Sequence, residues 1–135
     1  MKRLVLCLLS VSVLGVATIA LAETWKLAPG ETKTYYDEDF TRVDQSSGLI
    51  VTRIAEGKAN GPYRNWPASK GPILIFALDC AADKWMDLGM DFDGSKGVPK
   101  GWRKEEKIDD ISGAVGKAGK LLCDAKDSLT KAELP

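Results

Sequence analysis

The sequence predicts an α+β domain: an antiparallel sheet of about five or six strands, one C-terminal helix packed on it, and one disulfide. Three observations carry that prediction. An unbroken apolar run at 73–78 is followed by strict alternation at 85–92. A helical stripe with glycines interspersed follows Ser112. Two cysteines, Cys80 and Cys123, remain once a leader-like start is set aside.

The run ILIFAL at 73–78 is bounded by Gly71-Pro72 and Asp79-Cys80, and is short for a helix and rich in branched and aromatic side chains. Alternation places Leu74, Phe76, Leu78 and Cys80 on one face and Ile73, Ile75, Ala77 and Asp79 on the other, so an inner strand covered on both sides is expected. Asp79, the polar exception, needs hydrogen-bonding partners there or a raised pKa. In the next strand Met86, Leu88, Met90 and Phe92 share one face, and Trp85, Asp87, Gly89 and Asp91 the other. That pattern predicts a half-buried strand with an outward Trp85 face, turning at Asp93-Gly94.

The start of the chain reads as an export signal. Lys2 and Arg3 precede an apolar stretch at 4–21, and Ala20-Leu21-Ala22 forms a small-x-small cleavage site before polar Glu23-Thr24. Cleavage at Ala22 is expected, the alternative being an uncleaved membrane anchor. Cys7 lies near the start of the apolar stretch, not at the cleavage point, so no lipid anchor is predicted. Residues 23–135 suit one domain, without another segment approaching the ~20 apolar residues of a spanning helix. Two of the 19 basic residues, Lys2 and Arg3, precede Glu23, while all 19 acidic ones lie within 23–135, which leaves 17 minus 19, or −2. This near-neutral balance offers no electrostatic case for nucleic acid. In an oxidising compartment Cys80 and Cys123 read as a disulfide, the alternative being two buried free thiols.

Residues 32–37 and 40–44 read as short strands or one bent strand, broken around Asp37-Glu38-Asp39. After the turn at 45–48, LIVTRI at 49–54 forms a strand with Ile50, Thr52 and Ile54 on one face and Leu49, Val51 and Arg53 on the other. The connection at 56–72 holds three glycines and three prolines and has no apolar period. A loop this long is usually functional or mobile, and it carries Tyr63, Arg64 and Trp66, types enriched at interfaces. These three, with Trp85, are the candidate protein-binding residues; the competing role for Trp66 is to cap the core edge. Residues 98–103 are expected to form another short strand bearing Trp102, and 104–110 a charged connection. Ser112 then caps a helix over 113–124, with Val115, Ala118, Leu122 and Leu121 as its stripe. Gly113, Gly116 and Gly119 weaken that helix or permit close packing against the sheet. The tail at 126–135 is expected to fray.

Sites for chemistry are scarce. The chain has no histidine, which removes His-dependent nucleophilic catalysis and the commonest metal ligand. Asp91-x-Asp93-Gly94 places glycine fourth and Trp102 twelfth, where a calcium loop needs glycine sixth and glutamate twelfth. The Asp37-Glu38-Asp39 acids read as solvated residues at a strand break, and the 113, 116, 119 glycine spacing does not suit a phosphate loop. No catalytic residue, cofactor or metal is predicted.

Trp25, the TYYD segment with Phe40 and Arg42, the LIVTRI strand, the Asp79-Cys80 pair, the DFDG turn and Cys123 together resemble the surface-adhesin protein E family of small exported proteobacterial proteins. The resemblance spans nearly all of 23–135. It implies a curved antiparallel sheet carrying a helix and closed by one disulfide. It also implies a non-enzymatic module that attaches to a protein partner, host extracellular-matrix proteins in the named member. This chain departs from that member in having no lipid-attachment cysteine, so periplasm and cell surface both stay open as its location. A different class of reading is a periplasmic inhibitor of a wall-degrading enzyme such as lysozyme. One such group carries Ser-Gly-x-x-Tyr on an inserting loop; here Ser47-Gly48 is followed by Val51 in place of the tyrosine.

Overall fold

The structure, a computed structural model, describes residues 23–57 and 72–135. Its organising strand is β4 (Ile50–Glu56), buried along six of its seven residues. One edge of β4 pairs with β5 (Ile73–Asp79) over six residues, from Ile50↔Leu78 to Ala55↔Ile73. The opposite edge is shared. β2 (Thr34–Asp37) takes the C-terminal end of β4, and β3 (Arg42–Asp44) takes its N-terminal end. The two are therefore one bent strand interrupted at Asp37–Thr41, as the acidic break predicts. β1 (Trp25–Leu27) pairs with β2, and β6 (Lys84–Asp91) pairs with β5.

Helix α1 (Gly113–Asp124) crosses one face of the curved sheet and buries Val115, Ala118, Gly119 and Leu122. These meet Val43, Ile50, Ile54, Phe76 and Leu78 in the first core, with Trp85 packed at its margin. The glycines permit close approach, as anticipated. A Cβ on Gly119 would sit 3.2 Å from Leu78 Cδ2, and one on Gly116 would lie 2.6 Å from the Ile111 carbonyl oxygen. Cys123, near the C-terminal end of α1, is bonded to Cys80 at the end of β5, with a Cα–Cα distance of 5.6 Å. Among the described residues no helix is long and apolar enough to cross a membrane.

The second face carries its own core of Leu49, Val51, Ile75, Ala77, Met86, Leu88 and Trp102. Its cover differs from expectation. Residues 98–103 do not form a strand. Gly101 turns the chain at φ 75°, and Trp102–Lys104 closes into a 3-10 turn that drives the Trp102 indole into the core. Nor is the tail frayed. After a 3-10 turn at Lys126–Ser128 it forms β7 (Lys131–Ala132), which pairs parallel to β3 and makes the sheet mixed, with seven strands among the described residues. Leu134 then packs on the second core.

The third correction concerns β6. The pairing jumps from Phe76↔Asp87 to Ile75↔Gly89, so Leu88 is the extra residue of a β-bulge, and Gly89 takes φ 102°. A bulge reverses the parity of every residue beyond it. Met86 and Leu88 are buried as the alternation demands, but past the bulge Asp91 turns inward, at 1% exposure, and Met90 outward. Trp85 is likewise not an exposed face. It is half-buried, edge-on to Phe76 at 6.3 Å between ring centroids, and its Nε1–H donates to the Asp110 carbonyl at 2.8 Å.

Candidate protein-binding site

Two arginine–carboxylate nodes organise the second face, and neither was assigned from the sequence. Arg53, fully buried, extends from β4 into a ring of acids. Its Nε–H donates to Asp37 at 2.8 Å, Nη2 lies 2.7 Å from the same carboxylate and donates to Glu23 at 3.3 Å, and Nη1 donates to the Gly94 carbonyl at 3.1 Å. Asp91, brought inward by the bulge, lies 3.8 Å from Nη1. The guanidinium sits over the rings of Phe40 and Trp25 at 4.6 and 5.6 Å, a stacking that suits its flat, weakly hydrated cation. The carboxylates spend their other lone pairs on backbone. Asp37 accepts from the N–H groups of Thr24, Asp39 and Phe40, and Asp91 from those of Asp93 and Lys96. The node thus fixes β1, the strand break and the exit from β6 around one charge.

The second node is Asp44. Arg103 grips it with Nε and Nη2 at 2.9 and 2.6 Å, while the Ser47 hydroxyl and N–H and the Leu134 N–H also donate to it. These donors outweigh its burial and hold the carboxyl at about 2. Arg103 continues to the Leu134 and Pro135 carbonyls, which ties down the tail. Ser47 is consequently committed to Asp44, and Val51 is fully buried. Asp79 meets the need for partners by another route than a raised pKa: the Lys107 ammonium at 2.6 Å and the Ala82 N–H hold its carboxyl below the ordinary range.

Tyr63, Arg64 and Trp66 lie outside the described residues, and Trp85 is anchored in the first core as above. What the described residues do present is an apolar groove at one end of the sheet. Ile54, Leu74, Met90 and Ala114 line a cavity of about 420 Å³, flanked by Glu56 and Pro72. Phe92, two residues past Met90, is 62% exposed, and Met90 is 39% exposed. These side chains face solvent because of the bulge. Strict alternation would have buried both, and the one signal against it is Gly89 inside a strand pattern.

Among the described residues no strand pairs along the outer edge of β6, and that edge is blunted. Ile108 exchanges backbone hydrogen bonds with Trp85, at 3.1 and 2.7 Å, and occupies one end of that edge. Beyond it the Gly89 N–H is taken by the Asp87 carboxylate at 2.8 Å, and Lys96 donates to the Met90 carbonyl at 2.7 Å. A bulge, an acidic side chain and a lysine are the usual means of blunting an edge.

Comparison of the chain with protein-family models, with curated proteins and with solved structures finds no match in any of the three.

Proposed function

We propose that this protein is an exported, non-enzymatic module of the cell envelope that binds another protein through the groove between β4, β5, β6 and the start of α1. The observation that carries the proposal is Met90, exposed in the lining of a preformed apolar groove, with the exposed Phe92 two residues further along the chain. Large apolar side chains gathered beside a concavity are what protein partners bury as anchors. The export-like start and the Cys80–Cys123 disulfide support action outside the cytoplasm. The lack of any histidine, and the commitment of both cysteines of residues 23–135 to the disulfide, support a binding role over catalysis. Following the resemblance to surface-adhesin protein E, extracellular-matrix proteins are the first partner class to try. An inhibitor of a wall-degrading enzyme draws less support, since Ser47 is spent on Asp44.

The test is binding of the oxidised protein to immobilised matrix proteins and to envelope extract, compared with Phe92→Ser and Met90→Ser. Saturable binding that both substitutions weaken at least tenfold, with unfolding curves unchanged, is the expected result. Binding that survives both substitutions would move the site elsewhere, to the segment carrying Tyr63, Arg64 and Trp66 first.

A further inference from the structure

The Arg53 node gathers more acid than base. Asp37 and Asp91, both fully buried, share the one guanidinium, and buried carboxylates are costly unless cations or N–H donors compensate them. Part of that compensation comes from the first residues described. The Thr24 N–H donates to Asp37 at 3.2 Å, its hydroxyl donates to the half-buried Asp39 at 2.5 Å, and its carbonyl accepts from the Glu38 N–H at 2.8 Å. Glu23 is drawn in with them. Its carboxylate accepts from Arg53 at 3.3 Å and from the Trp25 Nε1–H at 3.4 Å, which leaves the side chain 12% exposed.

Glu23 is also the residue that follows Ala20-Leu21-Ala22, the small-x-small site ending the export-like start. A leader peptidase cutting there adds water across the Ala22–Glu23 peptide bond. The hydroxyl goes to the Ala22 carbonyl carbon, giving a carboxylic acid that ionises, and the hydrogen to the Glu23 nitrogen, giving an amine that is protonated at neutral pH. A neutral amide thereby becomes an ammonium with three N–H donors. Successive backbone nitrogens lie about 3–4 Å apart, so this cation arises within about 7 Å of the Asp37 carboxylate that the Thr24 N–H already reaches.

We infer that the α-ammonium of Glu23 is the second cation of the Arg53 node, so that leader cleavage completes the fold at this corner. The inference rests on the reading of the protein as exported. Leaving Glu23's own carboxylate aside, the corner gathers Asp37, Glu38 and Asp39 around the strand break and Asp91 from β6, against Arg53 and Lys26, the latter paired with Glu38 at 2.6 Å. At the exit of β6 the Asp93 carboxylate accepts from Ser95 and the Lys96 ammonium donates to the Met90 carbonyl. Four carboxylates against two cations attract a third. In the uncleaved chain the same nitrogen is an uncharged amide and Arg53 serves the buried acids alone, which favours the unfolded chain before cleavage and the folded one after it.

The experiment compares urea unfolding of three oxidised proteins, each checked by intact mass. The first is the protein exported from the full-length chain. The second is the same protein acetylated at its α-amine while unfolded. The third comes from a full-length chain with Gly-Ser inserted between Ala22 and Glu23, which keeps an ammonium but moves it away. At pH 6.5 the first is expected to have an unfolding constant about tenfold below the other two, the equivalent of one pKa unit at the amine. Carboxylate neighbours make the folded chain hold this proton longer than the unfolded one, whose α-amine titrates at about 7.7–8.0. The advantage is therefore full below about pH 7.5, shrinks as pH rises through the folded value and is gone by about pH 10. Lysine and tyrosine titrations are common to all three proteins and cancel. Equal stability of the free and acetylated proteins at pH 6.5 would overturn the inference and leave the export reading intact. So would a difference that does not change up to pH 10, or a Gly-Ser protein as stable as the first. A mass that retains the leader would overturn both.

Discussion

One face of the sheet is covered by a regular twelve-residue helix joined to β5 through Cys80–Cys123; the other is covered by irregular chain, the segment around Trp102 and the last residues of β7 and beyond. The helix can bury its stripe and satisfy its own backbone, so apolar contact and one covalent tie suffice. The irregular cover has no ladder of its own. It is held by the Asp44–Arg103 node, which grips the Trp102 turn and the tail together, while Arg53 fixes the strand break and the exit from β6. Where regular structure is missing, buried and half-buried charge does the fastening, and it does so with geometry that apolar contact alone would not specify.

The sharpest way to break that contrast is to remove Arg53. Arg53→Met leaves Asp37 and Asp91 buried without their cation, and breaking a buried pair from one side costs about 3–5 kcal/mol. Urea unfolding should show a loss in that range, or no folded protein at all. A loss below about 1 kcal/mol would mean the node is incidental.

On the other face, Cys80→Ser or Cys123→Ser frees a loop of sequence separation 43, worth about 3–4 kcal/mol in the chain-entropy account. The double substitution should match either single one, because both remove the same tie. Thermal unfolding of the three variants checks it, and unequal single effects would point to local packing.

Beneath the helix the glycines should separate. In Gly116→Ala the new methyl meets a backbone oxygen that cannot move aside, so a loss of about 1–3 kcal/mol is expected. Gly119→Ala meets only the flexible tip of Leu78, and the helix propensity it gains, up to about 1 kcal/mol, should leave it near neutral. Denaturant midpoints that ranked the two the other way would mean that α1 shifts to relieve the contact with Ile111.

The smallest effect is expected with acid. Asp44 is held at about 2, below its ordinary 3.8, so between those values the unfolded chain binds the extra proton. Stability from this node is fully present above pH 4 and is lost as pH falls through 4 toward 2. Asp79, lowered by Lys107, adds in the same direction. Asp44→Asn should be less stable at neutral pH and should flatten the slope between pH 4 and 2, measured by unfolding midpoints across that range. An unchanged slope would remove Asp44 from the account.

The same contrast explains what was legible in the sequence. The helix bounds, its buried stripe and the bent strand at the acidic break follow from local periodicity and turn chemistry, and the Cys80–Cys123 tie from the pair of cysteines behind an export-like start. The second cover is not legible in the sequence because its signals are not local. Trp102 reads as a strand residue until Gly101 turns the chain, and the tail reads as polar until Asp44 and Arg103 collect it from 90 and 31 residues away. Alternation puts Arg53 on the face it shares with Leu49 and Val51, yet its partners come from other segments of the chain. The candidate site was legible in composition only. Met90 and Phe92 stood out as apolar, but the bulge at Leu88 reversed which way they point, and a single extra residue leaves no periodic trace beyond Gly89.

Hydrogen exchange with and without reductant tests most directly the claim that the two covers are fastened independently. Reducing Cys80–Cys123 should cost the amides of Gly113–Asp124 their protection ahead of the rest. The Val43 and Gln45 amides, which β7 and its neighbours hold through the Thr130 and Ala132 carbonyls, should stay protected. Simultaneous loss at the helix and at Val43 and Gln45 would contradict the account, because it would show one cooperative cover in place of two.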